Sequence, residues 1–307
     1  MASGWFAIPD FVGALSGRNP LWPVERRFTF QPRRRVIRHN ARRNCRGPDI
    51  LRMGRASSKA GLPIKRRANA HTRMGIAVAK TQRCGHHIRM GRIAIRLGIL
   101  LGLFIPALFL PAGRVDLPFF WVYLGLLLMA TAAASRLIDP DLLRERVHPG
   151  PGGLDRNLRF HAIPFIAAHL IVAGLDVGRF HWSGPVPIHV QWTSMVFLGT
   201  SMGLSMWAMR ANRFFSPVVR IQAERGHHLV TSGPYRWVRH PGYAAALTMM
   251  LVGGPALGSW WAMAPMIPLM MLILRRVVIE DRFLRGNLEG YEAYARQVRY
   301  RIIPGLW

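Results

Sequence analysis

The chain has 307 residues, half of them hydrophobic, and carries a formal net charge of +28 at pH 7. Its two cysteines, Cys45 and Cys84, lie near the N-terminus, which excludes disulfides, a thiolate nucleophile and a cysteine-based metal site from residues 90–307. Charge and apolar residues are unevenly distributed, and they divide the chain into a basic N-terminal part and an apolar remainder.

Residues 1–89 carry 20 Lys and Arg against three acids, a net charge of +17, and lack a sustained hydrophobic period. Such a segment buries too little apolar surface to offset its chain entropy, so it is predicted to be disordered. It could be an arm that binds nucleic acid or an anionic membrane, a targeting peptide, or a dispensable or mis-assigned extension. The last interpretation is favoured because Met90-Gly91-Arg92 directly precedes the first apolar run.

Long apolar runs dominate the remainder, at residues 93–110, 119–137, 160–177, 188–209 and 244–274. The last run exceeds one membrane span and contains Gly253-Gly254-Pro255, which predicts a helical hairpin of residues 244–252 and 257–274. Too little polar surface remains to cover so many apolar helices in water. We therefore expect an all-α fold, a multipass transmembrane helical bundle with five or six membrane segments, four of them within residues 90–209.

The arginines alternate between the loops and predict the orientation of the bundle. Residues 139–159 and 210–243 are rich in arginine, whereas the intervening loops contain mainly Arg114 and Arg179. The rich loops and both termini are thus predicted to be cytoplasmic, in a bacterial inner (cell) membrane. Residues 280–295 carry apolar positions at helical spacing, which predicts an amphipathic cytoplasmic C-terminal helix. The charge of residues 90–307 is then a topological signal, and no nucleic-acid partner is expected for them.

Residues 226–243 form a polar, glycine- and proline-rich segment between two apolar runs. Polar groups pressed against membrane segments mark a candidate functional site. The planar Arg239 fork suits a carboxylate, His240 can donate or accept, and tyrosines at 235 and 243 offer rings and hydroxyls. These groups suit a ligand with a carboxylate, a ribose and an aromatic base. The alternative is an interfacial loop of snorkelling arginines and belt aromatics.

Arg276, Glu280 and Asp281 form a second charged cluster directly after the last apolar run. Arg276 and Glu280 are four residues apart, so they share a helix face. An exposed ion pair of this kind contributes little to stability. The functional interpretation is a charge pair at the mouth of a membrane cavity that orients or deprotonates a substrate head group. Histidine and carboxylate spacing does not favour a metal site, and no Rossmann motif is present.

Taken in order, these motifs resemble the integral-membrane isoprenylcysteine carboxyl methyltransferase and phospholipid methyltransferase superfamily. The specific motifs cover residues 210–307, interpreted as the methyltransferase core, whereas residues 90–209 match only as membrane spans. The residues that carry the resemblance are His227-x-Leu229-Val230, Gly233-Pro234-Tyr235, Arg239-His240-Pro241-x-Tyr243, Glu280-Asp281 and Gly290-Tyr291-x-x-Tyr294.

The resemblance implies S-adenosylmethionine as methyl donor, bound at the cytoplasmic ends of the helices without a Rossmann domain. The acceptor would be lipid-like or hydrophobic, with a carboxylate, amine or hydroxyl group. Eukaryotic carboxyl methyltransferases of this family have Glu-Glu where this chain has Glu280-Asp281. The resemblance assigns catalysis to Arg276 with Glu280 or Asp281, and cofactor binding to His227, Leu229, Val230, Gly233, Pro234, Tyr235, Arg239, His240 and Tyr243.

Two other functions stay open. Membrane reductases of the sterol-reductase-like type have a similar C-terminal arrangement and bind NADPH there. A non-catalytic protein that binds membranes or nucleic acid through the basic extension is the third possibility. The identity of the methyl acceptor and the oligomeric state stay open.

Overall fold

The computed structural model describes residues 93–307, so the expectations for residues 1–89, Cys45 and Cys84 included, lie outside the described part. Residues 93–307 form no β-sheet, only an isolated antiparallel bridge between Leu154 and Val219. The predicted all-α class is confirmed. The helices are α1 (Ile93–Ala112), α2 (Pro118–Leu137), α3 (Pro140–Val147), α4 (Leu158–Leu175), α5 (Ile188–Ala211), α6 (Pro241–Leu257), α7 (Met266–Asn287) and α8 (Tyr291–Gln297).

Four helical stretches are long and apolar enough to cross a membrane: Ile93–Ala112, Pro118–Leu137, Leu158–Phe180 and Trp261–Asn287. The third joins α4 to a π-helical turn, and the fourth joins α7 to a preceding 3₁₀ turn. Helices α5, with 24 residues, and α6, with 17, are not among these four. They form the most extensive helix pair among the helices of residues 118–297. The bundle is as predicted, although only four of the five or six expected segments have the length and composition of membrane spans.

The turn expected at Gly253-Gly254-Pro255 lies later in the chain. Helix α6 continues through these residues and ends at Leu257, after which Gly258 adopts a left-handed conformation with φ of 85°. Glycine serves close packing instead: a Cβ at Gly254 would lie 2.7 Å from the backbone oxygen of Ser259. The predicted hairpin boundary is therefore wrong, because glycine that permits close approach and glycine that turns the chain look alike in sequence.

The core of the bundle lies where α1, α2, α5 and α6 meet, around the fully buried Leu108, Phe120, Leu198 and Leu257. Helix α4 packs against the end of α1 through glycine. A Cβ at Gly174 would overlap the backbone oxygen of Leu108, and one at Gly178, in the π-helical turn that continues α4, would lie 2.5 Å from the backbone of Ala112. Small residues let membrane helices approach to backbone contact, and this contact holds α4 beside the rest of the bundle.

Exposed aromatic side chains gather at one end of the bundle. Phe180 and Trp182 stack with ring centroids 4.8 Å apart after α4, and Trp192 begins α5. Trp260 and Trp261 precede α7 and are also exposed. Tryptophan is enriched at membrane interfaces, so this end marks one interface. The arginine-rich segments 139–159 and 210–239 lie at the other end of the helices.

Helix α8 packs against the arginine-rich end of the bundle. Its buried Tyr291 and Tyr294 form a small apolar cluster with Leu284 and Leu288 of the α7 end and with Leu229. The phenol of Tyr294 donates to the carbonyl oxygen of Tyr235 at 2.6 Å. The C-terminal helix thus supports the segment 226–243.

Candidate functional site

A cavity of about 360 Å³ lies at the arginine-rich end of the bundle. This volume is within the range of small-molecule sites, roughly 300–1,000 Å³. Its two ends differ in chemistry. The membrane end is lined by one face each of α4, α6 and α7, through Leu158, Ala162, Ile166, Ala246, Met249, Met250, Leu269 and Ile273. The other end is polar and is lined by the loop residues of 212–240 and by the tyrosines of α8.

Most residues singled out from the sequence line this one cavity: His227, Leu229, Val230, Tyr235, Arg239, His240, Tyr243, Arg276 and Glu280. Three of the predicted residues are not in its wall. Gly233 has φ of 62° and lies against Trp207 outside the cavity. Pro234 is buried at the start of a 3₁₀ turn that brings Tyr235 inward. Asp281, the third, is fully buried behind the cavity wall.

The guanidinium of Arg239 is engaged by the protein itself. Its Nε donates to Asp281 at 2.8 Å, and its Nη1 donates to the carbonyl oxygens of Val298 at 2.7 Å and Arg299 at 2.9 Å. Both side chains of the ion pair are almost completely buried. In this structure the Arg239 guanidinium therefore binds the carboxylate of Asp281. The sequence suggested that it would bind the carboxylate of a ligand.

Asp281 compensates several positive charges at once. Arg285 and Arg301 donate to its Oδ2 at 3.3 and 3.2 Å, and the phenol of Tyr291 donates to Oδ1 at 3.0 Å. Burial, followed by the charge of Asp281, raises the pKa of Tyr291 far above its ordinary value, so this phenol stays a donor. Asp281 thus joins the segment 226–243 to α7, α8 and the tail. It lies apart from Arg276, whose helix face Glu280 shares, because each further residue along a helix turns the side chain by about 100°.

Arg276, Tyr243 and Glu280 form the charged centre of the cavity. Arg276 Nε donates to the Tyr243 hydroxyl at 2.7 Å, and that hydroxyl donates to Glu280 Oε2 at 2.5 Å. Arg276 also donates to the carbonyl oxygen of Pro217 at 2.7 Å. The shared helix face of Arg276 and Glu280 is present, with 4.0 Å between their charged atoms. Arg276 is buried, whereas Glu280 keeps a quarter of its side chain accessible at the cavity wall.

The polar end has groups that could recognise an aromatic base. His227 stacks on Phe214 with ring centroids 4.5 Å apart, and its Nδ1 accepts from the backbone N–H of Gln222. Burial is the main cause that lowers the pKa of His227 to about 4, so the ring is neutral near pH 7 and carries its proton on Nε2. The backbone N–H groups of Leu229 and Val230 donate to no acceptor within residues 93–307. The neutral ring of His227, with the apolar side chains and the unpaired backbone N–H groups of Leu229 and Val230, could hold an adenine. The carboxylate of Glu280 could face a cation.

A buried ion pair that was not expected from the sequence fixes another wall of the cavity. Arg220 binds Glu145 of α3 through Nη2 at 2.9 Å, and both side chains are buried. The hydroxyl of Ser216 donates to the same carboxylate at 2.9 Å. The scarcity of acids in residues 90–307 was a signal for Glu145. Within residues 93–307 no group of three His, Cys, Asp or Glu side chains is arranged to hold a metal ion.

Comparisons with known proteins agree with the motif order. The model of the isoprenylcysteine carboxyl methyltransferase (ICMT) family matches residues 192–285. Proteins named probable protein-S-isoprenylcysteine O-methyltransferase from Oryza sativa subsp. indica and subsp. japonica are each 35% identical over 94 residues, 29% of this chain and 47% of theirs. The cobalt-zinc-cadmium resistance protein CzcN of Cupriavidus metallidurans is 28% identical over 168 residues, 54% of this chain and 67% of its own. The chain thus spans about half the length of the rice relatives, and the resemblance drawn from the motifs is confirmed.

Proposed function

We propose that this integral membrane protein, whose residues 192–285 match the model of the isoprenylcysteine carboxyl methyltransferase family, transfers a methyl group from S-adenosylmethionine to a lipid-like acceptor at the cytoplasmic face of the membrane. One observation carries the proposal: a single cavity joins a polar end suited to a nucleoside to an apolar end lined by helices α4, α6 and α7. A soluble donor and a membrane-borne acceptor could meet there without either crossing the bilayer.

The residues of the polar end divide into two groups. Leu229, Val230 and His227 would hold the base, and Glu280 would face the positive sulfur. Bound S-adenosylmethionine would supply an already activated methyl group with a neutral thioether as leaving group. The protein then needs to position the acceptor and limit access of water, which are effects expected from a cavity set between helices.

Glu280 is the acid of the cavity wall, since Asp281 and Glu145 are buried in ion pairs. An amine or hydroxyl acceptor would need a base, and Glu280 could take that proton. A carboxylate acceptor would need only orientation. Arg276 is fixed by Tyr243 and by the carbonyl oxygen of Pro217, so it can orient an acceptor without losing its place. Arg239 in the wall and Asp281 behind it would act as positioning residues.

The test is a methyl-transfer assay on the purified full chain with radiolabelled S-adenosylmethionine and whole-membrane lipid extract, followed by identification of the labelled product. The expected result is label in the lipid fraction that depends on the protein and falls strongly in Glu280→Gln. Parallel titrations with S-adenosylmethionine and NADPH separate this function from a reductase. Binding of NADPH without binding of S-adenosylmethionine would overturn the proposal.

A further inference from the structure

The cavity wall contains more positive than negative charge. Five arginines line it, whereas Glu280 is its acidic residue. Three of these arginines pair with carboxylates of the protein: Arg220 with Glu145 at 2.9 Å, Arg239 with Asp281 at 2.8 Å and Arg276 with Glu280 at 4.0 Å.

The other two arginines, Arg146 of α3 and Arg159 of α4, take part in no ion pair within residues 93–307. The guanidinium of Arg146 lies over the ring of Phe215, 5.1 Å from its centroid. Arg159 donates through Nη1 to the carbonyl oxygen of Val147 at 2.7 Å, and its Nε is buried without a hydrogen-bond partner. The Arg159 guanidinium also lies over the ring of Phe160, 4.6 Å from its centroid. Both side chains are partly buried and neither has an anionic partner within residues 93–307, so the two guanidiniums are available to an anion.

Both arginines line the same cavity. Arg159 also approaches the backbone oxygen of Arg146 at 3.5 Å, and along the same helix it is followed by the apolar lining residues Ala162 and Ile166. Burial is the main cause that lowers the pKa of Arg146. Tyr243 and Arg276 also act on this pKa, the first raising it and the second lowering it. The pair thus stands where an apolar tail lying along α4 would end and the reacting groups would begin.

We propose that Arg146 and Arg159 bind an anionic head group carried on the apolar tail of the acceptor and thereby select anionic over neutral or cationic acceptors. This inference rests on the proposed function, since it assigns the membrane end of the cavity to the acceptor. Both arginines precede residues 192–285, so the specificity would come from outside the segment that matches the family. A carboxylate and a phosphate share the required chemistry.

Three amphiphiles with one tail distinguish these head groups: N-acetyl-S-dodecylcysteine, its carboxamide and monododecyl phosphate. Their binding to the full chain in neutral-lipid nanodiscs is measured by calorimetry. We expect the carboxylate to bind at least about tenfold more tightly than the carboxamide, a difference of about 1.4 kcal/mol. Arg146→Gln and Arg159→Gln should each remove most of this preference, and Arg159→Lys should keep part of it. Whichever anion binds more tightly, carboxylate or phosphate, is the head group that the site takes.

Arg144→Gln is the matched control, because Arg144 lies on the same helix and its side chain is 70% exposed. Equal binding of carboxylate and carboxamide to the unchanged protein would overturn the inference, as would an equal loss in Arg144→Gln. It would also fail if Arg146→Gln weakened binding of S-adenosylhomocysteine but not of 5′-methylthioadenosine, which lacks the carboxylate. Failure of the proposed function is separate: the unchanged protein would then bind no S-adenosylhomocysteine, whatever its preference among amphiphiles.

Discussion

Replacing Asp281 by Asn tests whether this carboxylate holds the site together rather than reacting in it. The substitution keeps the shape but removes the charge that Arg239, Arg285 and Arg301 share. Removing one partner of a buried ion pair costs about 3–5 kcal/mol, because the other charge stays buried without compensation. Arg239 and Asp281 are 3% and 1% exposed, so little of that cost would be screened by water.

For a domain of this size, 1 kcal/mol shifts the melting temperature by roughly 2–4 °C, so Asp281→Asn should lower it by about 6–20 °C. The assay is thermal unfolding of the purified protein in detergent. Glu280→Gln is the matched control, since the neighbouring side chain is 25% exposed and should affect turnover with little change in melting. A melting temperature of Asp281→Asn equal to that of the unchanged protein would refute the assignment of a positioning role.

Two further predictions concern pH and helix packing. The folded pKa of His227 is about 4, below its ordinary value of 6.5, so its neutral form stabilises the fold above pH 6.5 and this contribution is lost as pH falls towards 4. Melting temperatures between pH 4 and 7 should therefore fall more steeply with acid in the unchanged protein than in His227→Gln; parallel curves would contradict this. A Cβ at Gly174 would overlap the carbonyl oxygen of Leu108, so Gly174→Val should lower the melting temperature by several degrees, as expected for overpacking of roughly 1–3 kcal/mol. At Gly102 no atom lies within 4 Å of a Cβ, and Gly102→Ala should melt within about 1–2 °C of the unchanged protein, since exposed substitutions change stability by about 0.5 kcal/mol or less.

The helices were predictable because apolar run length alone distinguishes a membrane-length helix from other structures. The residues at which the helices end were harder to predict. Gly253 and Gly254 read as a turn in sequence, yet both are buried in α6, where a Cβ at Gly253 would lie 3.2 Å from the ring of His169. Glycine lacks a Cβ, which permits both a turn and close packing against a neighbouring helix. The surrounding structure, and not the glycine itself, determines which of the two occurs.

The site was predictable where a motif fixes spacing. Arg276 and Glu280 share a face because any helix places them so. The roles of Glu280 and Asp281 could not be separated from sequence, because adjacent acids differ only in the direction that the surrounding helices give them. Arg146 and Arg159 were counted as topological charges, since a loop arginine that faces a cavity and one that faces lipid head groups have the same sequence signature.

The aromatic end of the bundle sets the depth at which the charged centre lies. Arg276 follows the exposed Trp261 by 15 residues, most of them in α7, which is roughly 22 Å at 1.5 Å per residue. The hydrocarbon layer is about 30 Å thick. With Trp261 at one boundary of that layer, Arg276 would lie roughly 8 Å short of the other boundary, below the level of the lipid head groups. An acceptor embedded in one leaflet could present its head group at this depth by moving sideways, whereas a water-soluble acceptor would have to descend into the membrane to reach it.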